Sequence, residues 1–260
     1  MAGKVRVQRE GGIGWVVFEY PERRNAITED MWEAIPEAAL ELNEDPAVRV
    51  VVLRGAGEVA FVSGADISEF DRRRNASNSS AYDELNGRAF AALIGIDKPE
   101  IAMIHGFCVG GGAAIALCAD LRYAADDVEF GIPAARLGLG YSAGGVAMLL
   151  RLVGPAVASE ILFTARRLRA DEALRVGLLN AVHPKSLLEA RVKATAESIA
   201  GNAPLAVCAA KQAVRDLGQP ESAREPGRIH AAVRACLESD DYQEGIRAFL
   251  EKRRPDFRGV

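Results

Sequence analysis

Two short glycine-rich stretches constrain this chain more than any other feature of it: Phe61-Val62-Ser63-Gly64-Ala65-Asp66 and Cys108-Val109-Gly110-Gly111-Gly112-Ala113-Ala114. Each follows an apolar run that reads as a buried strand, Val50-Val51-Val52-Leu53 before the first and Ile101-Ala102-Met103-Ile104 before the second. Each also opens a segment that reads as a helix. A helix start leaves backbone N–H groups without partners and carries the positive end of the helix dipole. Two such starts side by side would aim N–H donors at one developing oxyanion. What the second stretch and its sequel lack is equally informative. No carboxylate lies between Gly110 and Cys118, and none follows Pro133 in Pro133-Ala134-Ala135-Arg136.

The rest of the chain fits an α/β layered core. Residues 4–8 and 13–20 read as a hairpin around Gly11-Gly12. Thr28 sits at an N-cap position ahead of Met31, Trp32, Ile35, Ala38, Ala39 and Leu42 at helical spacing. Helices are predicted over 81–96 and 112–118, and strands over 48–54, 101–105, 121–124 and 128–130. Beyond Tyr141 the pattern turns helical: 143–152, 155–163, 170–175, 187–200, 204–217, 228–239 and 242–252. The break at Gly201-Asn202-Ala203-Pro204 divides the chain into a core over 1–200 and a helical region over 201–260.

A chain of 260 residues that is 49% hydrophobic can bury a large core without staples. A net charge of −4 argues against a polyanion-binding role. Of the basic runs, Arg166-Arg167 reads as a solvated face, whereas Arg72-Arg73-Arg74 and Lys252-Arg253-Arg254 are placed to meet phosphates of a small ligand. Cys108, Cys118, Cys208 and Cys236 lack metal or disulfide spacing and read as free thiols. With no signal peptide and no apolar run of membrane-spanning length, the expected compartment is the cytoplasm, with no membrane partner.

Several candidate motifs have competing structural accounts. Gly140-Tyr141-Ser142-Ala143-Gly144 matches a nucleophile elbow, with Asp171 and His183 in the required chain order. The elbow needs a buried strand before it, however, and 135–139 carries an arginine and a glycine there. Gly110-Gly111-Gly112 is contiguous, unlike a dinucleotide fingerprint. His105, His183 and His230 have no metal-ligand spacing, so no metal is expected. His105 reads as a hydrogen-bonded core histidine, Asp120 and Asp126-Asp127 as local backbone acceptors, and Asp66 as the N-cap of a helix beginning at Ile67.

These residues together resemble the enoyl-CoA hydratase/isomerase, or crotonase, superfamily. Phe61 to Ile67 looks like its FxxGADI signature, and His105 to Gly112 like its second signature. Phe130-Gly131-Ile132-Pro133, Phe163-Thr164-Ala165, Ala173 to Leu178 and Phe249 to Arg253 follow in the family's order. The resemblance implies a crotonase-like spiral of ββα units with a C-terminal helical trimerisation region, assembled as a homotrimer or as a hexamer made of two trimers. It implies an acyl-CoA substrate and no cofactor beyond the coenzyme A of that substrate. The N–H groups of Ala65 and Gly111 would hold the thioester oxygen. Arg23 and the segment Ala65, Asp66, Ile67 and Ser68 would line the CoA site, and Phe249 and Lys252 would approach the CoA of a neighbouring subunit.

The departures sharpen the expectation. The two hydratase glutamates of the family match Ala114 and Ala134, and the dienoyl isomerase aspartate falls at Ser142. The loop from Pro133 to Tyr141 is similar instead to that of methylmalonyl-CoA decarboxylases, which places a tyrosine in the site, here Tyr141. Where those enzymes carry histidine in the GxD turn, this chain has Ala65. The expectation is therefore an acyl-CoA lyase of decarboxylase type. The alternatives are a hydratase of fatty-acid metabolism with a non-standard acid/base, a non-catalytic CoA-thioester binder, and a serine hydrolase. Residues 71–82 are expected to border the acyl pocket, with Glu69, Asp71, Tyr82 and His105 as substitute acids or bases.

Overall fold

Strand pairs followed by a helix recur along the first half of the chain, because β-branched apolar runs alternate there with segments of helical spacing. The computed structural model describes residues 2–66 and 79–260. Its first unit is β1 (Lys4–Glu10), β2 (Ile13–Glu19) and α1 (Glu29–Glu44). The second is β3 (Val50–Gly55), β4 (Ala60–Val62) and α2 (Ser79–Ile94), and the third is β5 (Glu100–Ile104), β6 (Phe107–Val109) and α3 (Gly111–Cys118). Next come β7 (Leu121–Ala125), β8 (Glu129–Gly131), a 3-10 turn at Pro133–Leu137 and α4 (Ala143–Thr164). The chain continues with β9 (Arg167–Arg169), α5 (Ala170–Arg175), β10 (Ala181–His183) and α6 (Leu188–Ala200). Three helices follow: α7 (Pro204–Leu217), α8 (Pro226–Glu238) and α9 (Asp240–Glu251).

After the antiparallel β1–β2 hairpin, which lies wholly in the larger sheet, each turn of the spiral adds one strand to each of two sheets. The larger runs β1-β2-β3-β5-β7-β10 and the smaller β4-β6-β8-β9. The pairs β2–β3, β3–β5, β5–β7 and β7–β10 are parallel, as are β4–β6 and β6–β8. One side of the larger sheet joins the main core with α1, α2 and α3, around Phe18, Trp32, Leu53, Phe61, Leu93 and Phe130. The other side packs under α6 through Leu188, Val192 and Ala196.

This topology corrects one detail of the sequence reading. The glycine stretches are fed by the short strands β4 and β6, not directly by the long apolar runs, which form β3 and β5. Three-residue strands carry too little periodicity to be seen in sequence, and β9 was missed for the same reason. Thr28 is the N-cap of α1, its Oγ1 accepting from the Met31 N–H at 3.4 Å. The two helices expected over 143–152 and 155–163 are the two halves of α4, separated by a kink at Gly154, where φ is 73° and the backbone is not helical. α4, with 22 residues, is long and apolar enough to cross a membrane by length and composition alone, but Arg151, Glu160 and the kink at Gly154 interrupt it, so it is not an uninterrupted apolar run.

Candidate active site

Backbone stitching brings the two glycine stretches together. Ser63 N–H donates to the Arg24 carbonyl at 3.2 Å, Ile27 N–H to Gly64 at 2.8 Å and Asp66 N–H to Ile27 at 2.9 Å. This last pair forms a parallel bridge between Ile27 and Ala65. In a parallel bridge the central residue's own N–H points to the opposite edge, so that of Ala65 faces away from Ile27. It meets no protein acceptor among the described residues. Across from it, Gly110 precedes α3 at φ 57°, a left-handed conformation that favours glycine. Gly111 is the first helical residue, so its N–H has no intrahelical partner. A Cβ placed on Gly111 would lie 3.6 Å from the Ala65 nitrogen. Gly112 lets α3 settle onto β4, since a Cβ there would fall 2.1 Å from the Val62 carbonyl oxygen.

A cavity of about 270 Å³ opens over this junction. Ala65, Gly110 and Gly111 form its floor, and the loop Ile132–Tyr141 contributes Pro133, Ala134, Leu137 and Tyr141. One face of α2, with Tyr82, Asp83, Asn86, Gly87 and Phe90, supplies a wall. Ala114, one turn into α3, and Ala134 both line it. Among the described lining residues, Asp83 carries the one charged side chain, and it lies at the exposed rim.

Tyr141 packs its ring against Gly145, where a Cβ would sit 2.5 Å from Cε1. Its hydroxyl is buried without a hydrogen-bond partner among the described residues. Burial raises the phenol's pKa, so it remains a protonated donor at neutral pH. Burial likewise raises the Cys108 and Cys118 thiols, which donate to the Gly112 and Ala114 carbonyls. These cysteines are inert packing groups.

Not every expected site residue comes to this cavity. Arg23 is exposed beside the first stretch, its carbonyl accepting from Ser63 Oγ at 3.2 Å. Asp66 follows Ala65 directly, whereas Ile67, Ser68, Glu69, Asp71 and Arg72-Arg73-Arg74 lie outside the described residues. Phe249, 82% exposed, lines a separate apolar groove with Leu205, Tyr242, Ile246, Leu250 and Phe257, and Lys252 ends α9. Ser142 caps α4 by accepting from Gly145 N–H at 3.2 Å, and a 3-10 turn and loop precede it where an elbow needs a strand. His183 packs against Tyr123 on β7.

His105 is buried away from the cavity, with Nδ1 unpartnered rather than hydrogen-bonded, and burial, then Arg54, lowers its pKa. Asp120 reaches farther than a local acceptor. It takes the Glu100 N–H at 2.8 Å and pairs with Lys211 at 2.7 Å. The sequence reading missed Trp32 and Asn86 as lining residues. The spacing 82, 83, 86, 87, 90 on α2 held the signal for Asn86, whereas Trp32 is indistinguishable from core on an amphipathic helix.

A sequence model of the enoyl-CoA hydratase/isomerase family matches residues 8–260. The chain belongs to that family. It is 36% identical over 252 residues to a crotonyl-CoA hydratase from Syntrophomonas wolfei, covering 96% of each chain. It is 34% identical over 267 residues to a carnitinyl-CoA dehydratase from Salmonella typhi, covering 100% of both. Among solved structures, an enoyl-CoA hydratase/carnithine racemase from Magnetospirillum magneticum superposes with a TM-score of 0.92 at 38% identity, covering 98% of this chain and 96% of that one. The fold is therefore the crotonase fold. Family membership makes an acyl-CoA thioester the consistent substrate, and Ala65 and Gly111 lie together on the floor of a cavity nearly free of charge.

Proposed function

We propose that this family member is an acyl-CoA lyase of decarboxylase type. In this reading the Ala65 and Gly111 N–H groups hold the thioester oxygen of a malonyl-type substrate. The bond between the α-carbon and the carboxylate breaks, its electron pair moves into the thioester enolate, and carbon dioxide leaves. The α-carbon then takes a proton from Tyr141 or from water. Two preorganised donors suit that charge, and losing one such donor typically costs about 3 kcal/mol of barrier.

The observation that carries the proposal is that Ala114 and Ala134 line the cavity at the positions matching the family's hydratase glutamates. Hydration needs positioned proton transfer, worth about 10²–10⁴-fold. Decarboxylation needs no base, and an apolar lining favours loss of a charged carboxylate. Arg23 and the segment beginning at Ala65 and Asp66 would hold the CoA, with no further cofactor.

One observation favours a second reading, a hydratase with a substitute base: the Asp83 carboxylate at the rim. Incubation with crotonyl-CoA, methylmalonyl-CoA and ethylmalonyl-CoA, followed by mass, separates the cases. Loss of carbon dioxide from a malonyl thioester is expected. Rapid hydration of crotonyl-CoA would overturn the decarboxylase reading, and turnover of none would leave a CoA-thioester binder.

We also propose a homotrimer, or two trimers paired, in the cytoplasm. The exposed apolar side chains Tyr242, Ile246, Phe249 and Leu250, which line one groove, support subunit packing, since apolar surface of this kind marks interaction sites. Phe249 and Lys252 would then reach a neighbouring subunit's CoA. Light scattering giving about three times the chain mass of 27.8 kDa, or six, is the expected result, and a monomer would reject it.

A further inference from the structure

The chain that follows α9 turns back along the helix as a strap, held by two buried carboxylates of α9. Asp241 accepts from the N–H groups of Arg258 at 2.7 Å and Gly259 at 2.8 Å, one on each oxygen. Glu244, three residues on, takes both arms of the Arg253 guanidinium at 2.5 and 2.9 Å and the Asp256 N–H at 3.0 Å. Arg247 donates to it as well, at 2.6 Å. A bidentate pair of this kind fixes direction as well as distance. Arg253 first, then Arg247 and the Asp256 N–H, hold the Glu244 carboxyl well below the usual carboxylate range. From the other side Arg49, the residue before β3, donates to the Phe257 carbonyl at 2.5 Å and so ties the strap to the larger sheet. What the strap fixes is the turn at Lys252. Lys252 closes α9 in the left-handed region, at φ 54°, and the Arg253 N–H reaches back to the Ala248 carbonyl at 3.0 Å. The left-handed position of such a helix end is usually glycine. A side chain there carries a backbone cost and persists only where its surroundings over-determine it. Here they are the fork between Glu244 and Arg253, on the very next residue. Lys252 itself is exposed and makes no ion pair among the described residues. Phe249, 82% exposed, stands one turn before it.

We infer that Asp241 and Glu244 are positioning residues that aim Lys252, beside Phe249, at the phosphates of a CoA held by a neighbouring subunit. This rests on the reading that Phe249 and Lys252 reach that CoA, and adds what holds them ready for it. An ammonium suits a phosphate, and an exposed phenyl ring suits the face of a base. A turn already set in its bound conformation leaves less freedom to lose on contact, which favours binding. The strap acts on the nucleotide end of the substrate and not on its acyl end.

The test compares binding of butyryl-CoA with that of butyryl-pantetheine, which keeps the acyl group and lacks the phosphates and nucleotide. Asp241→Asn and Glu244→Gln keep the size of each side chain and remove its charge. Arg253→Met cuts the fork while Glu244 keeps Arg247 and the Asp256 N–H, and it serves where Glu244→Gln changes folding or assembly. Lys252→Gly removes the ammonium but suits the left-handed turn, so its melting temperature is expected to rise while CoA binding falls. Light scattering and thermal melts follow every variant. Lys252→Gly is expected to weaken butyryl-CoA by about tenfold and each strap variant by about fivefold, with butyryl-pantetheine within about twofold. Glu244→Gln added to Lys252→Gly should weaken butyryl-CoA no further than Lys252→Gly alone, because the two act through one contact. Strap variants that weaken both thioesters equally, or neither, would overturn the positioning role. So would a Glu244→Gln effect that adds in full to that of Lys252→Gly. Unchanged butyryl-CoA binding in Lys252→Gly, or a parent that binds neither thioester, would remove the neighbouring-CoA reading itself and the positioning role with it.

Discussion

Ala114 and Ala134 are small side chains facing a cavity whose family relatives would need carboxylates to add water. Building those carboxylates back tests whether the scaffold retains the rest of the machinery. Ala114→Glu combined with Ala134→Glu is expected to raise crotonyl-CoA hydration by about 10²-fold over the parent. Methylmalonyl-CoA should bind less well, because two anions would then face its carboxylate. Initial rates with both thioesters check this. Gly112 is the opposite kind of residue, constrained by what is absent. Its missing Cβ is the space in which α3 meets the Val62 carbonyl, 2.1 Å from where a methyl would sit. Gly112→Ala must push α3 off β4 and displace the Gly111 N–H, and overpacking of this kind costs about 1–3 kcal/mol. A lowered denaturation midpoint and a drop in kcat larger than the change in KM are expected.

Short elements are what place the two backbone donors. β4 and β6, three residues each, run parallel and deliver the chain to Gly64 and Gly110 side by side. Their pairing comes from neighbours far away in sequence, which is why they could not be read from periodicity, whereas α1, with its cap at Thr28 and its run of buried Met31, Trp32, Ile35 and Leu42, could. α4 was legible in the same way: its two halves were read from composition, and they meet at Gly154, whose φ of 73° breaks the helical run. A Cβ there meets nothing within 4 Å, so the cost of Gly154→Ala is conformational alone. A destabilisation of about 1 kcal/mol is expected by chemical denaturation. No change should follow in thioester binding, because Gly154 does not line the cavity.

Over the whole molecule, a buried ionic cluster ties the last helices to the larger sheet. Lys211 on α7 pairs with Glu100 on β5 at 3.0 Å and with Asp120 at 2.7 Å, and donates to the Lys98 carbonyl at 2.6 Å. Arg215, one turn on, lies 3.4 Å from the same Glu100 oxygen. Glu100 is fully buried and its other oxygen is unpartnered. Burial pushes its carboxyl up to about 8 against the opposing pull of Lys211 and Arg215. The folded chain therefore holds this proton where the unfolded chain has released it. Stability from Glu100 is present at acid pH and is lost as pH rises from the ordinary carboxylate range through about 8. Glu100→Gln cannot titrate, so the variant is expected to gain on the parent between pH 5 and pH 9 by at least about 1 kcal/mol. Denaturant melts across that range measure it, and a variant that instead loses ground to the parent as pH rises would reverse the sign of the argument.

The sequence by itself determined the family, the order of the longer strands and of the helices, the two glycine stretches and the alanines that replace acid and base. All of these are local: they are written in periodicity, in residues that tolerate positive φ, and in signatures a few residues long. Residues such as Asp120 and His105 were misread because their partners, or lack of them, depend on chain segments far off in sequence. The tertiary structure alone brought Ala65 and Gly111 together on the floor of one cavity, since backbone donors leave no side-chain trace. It also decided that Trp32, Asn86 and Tyr141 share that cavity. Three residues separated by tens of positions, each with an ordinary reading as core or surface, line one cavity only when the spiral closes.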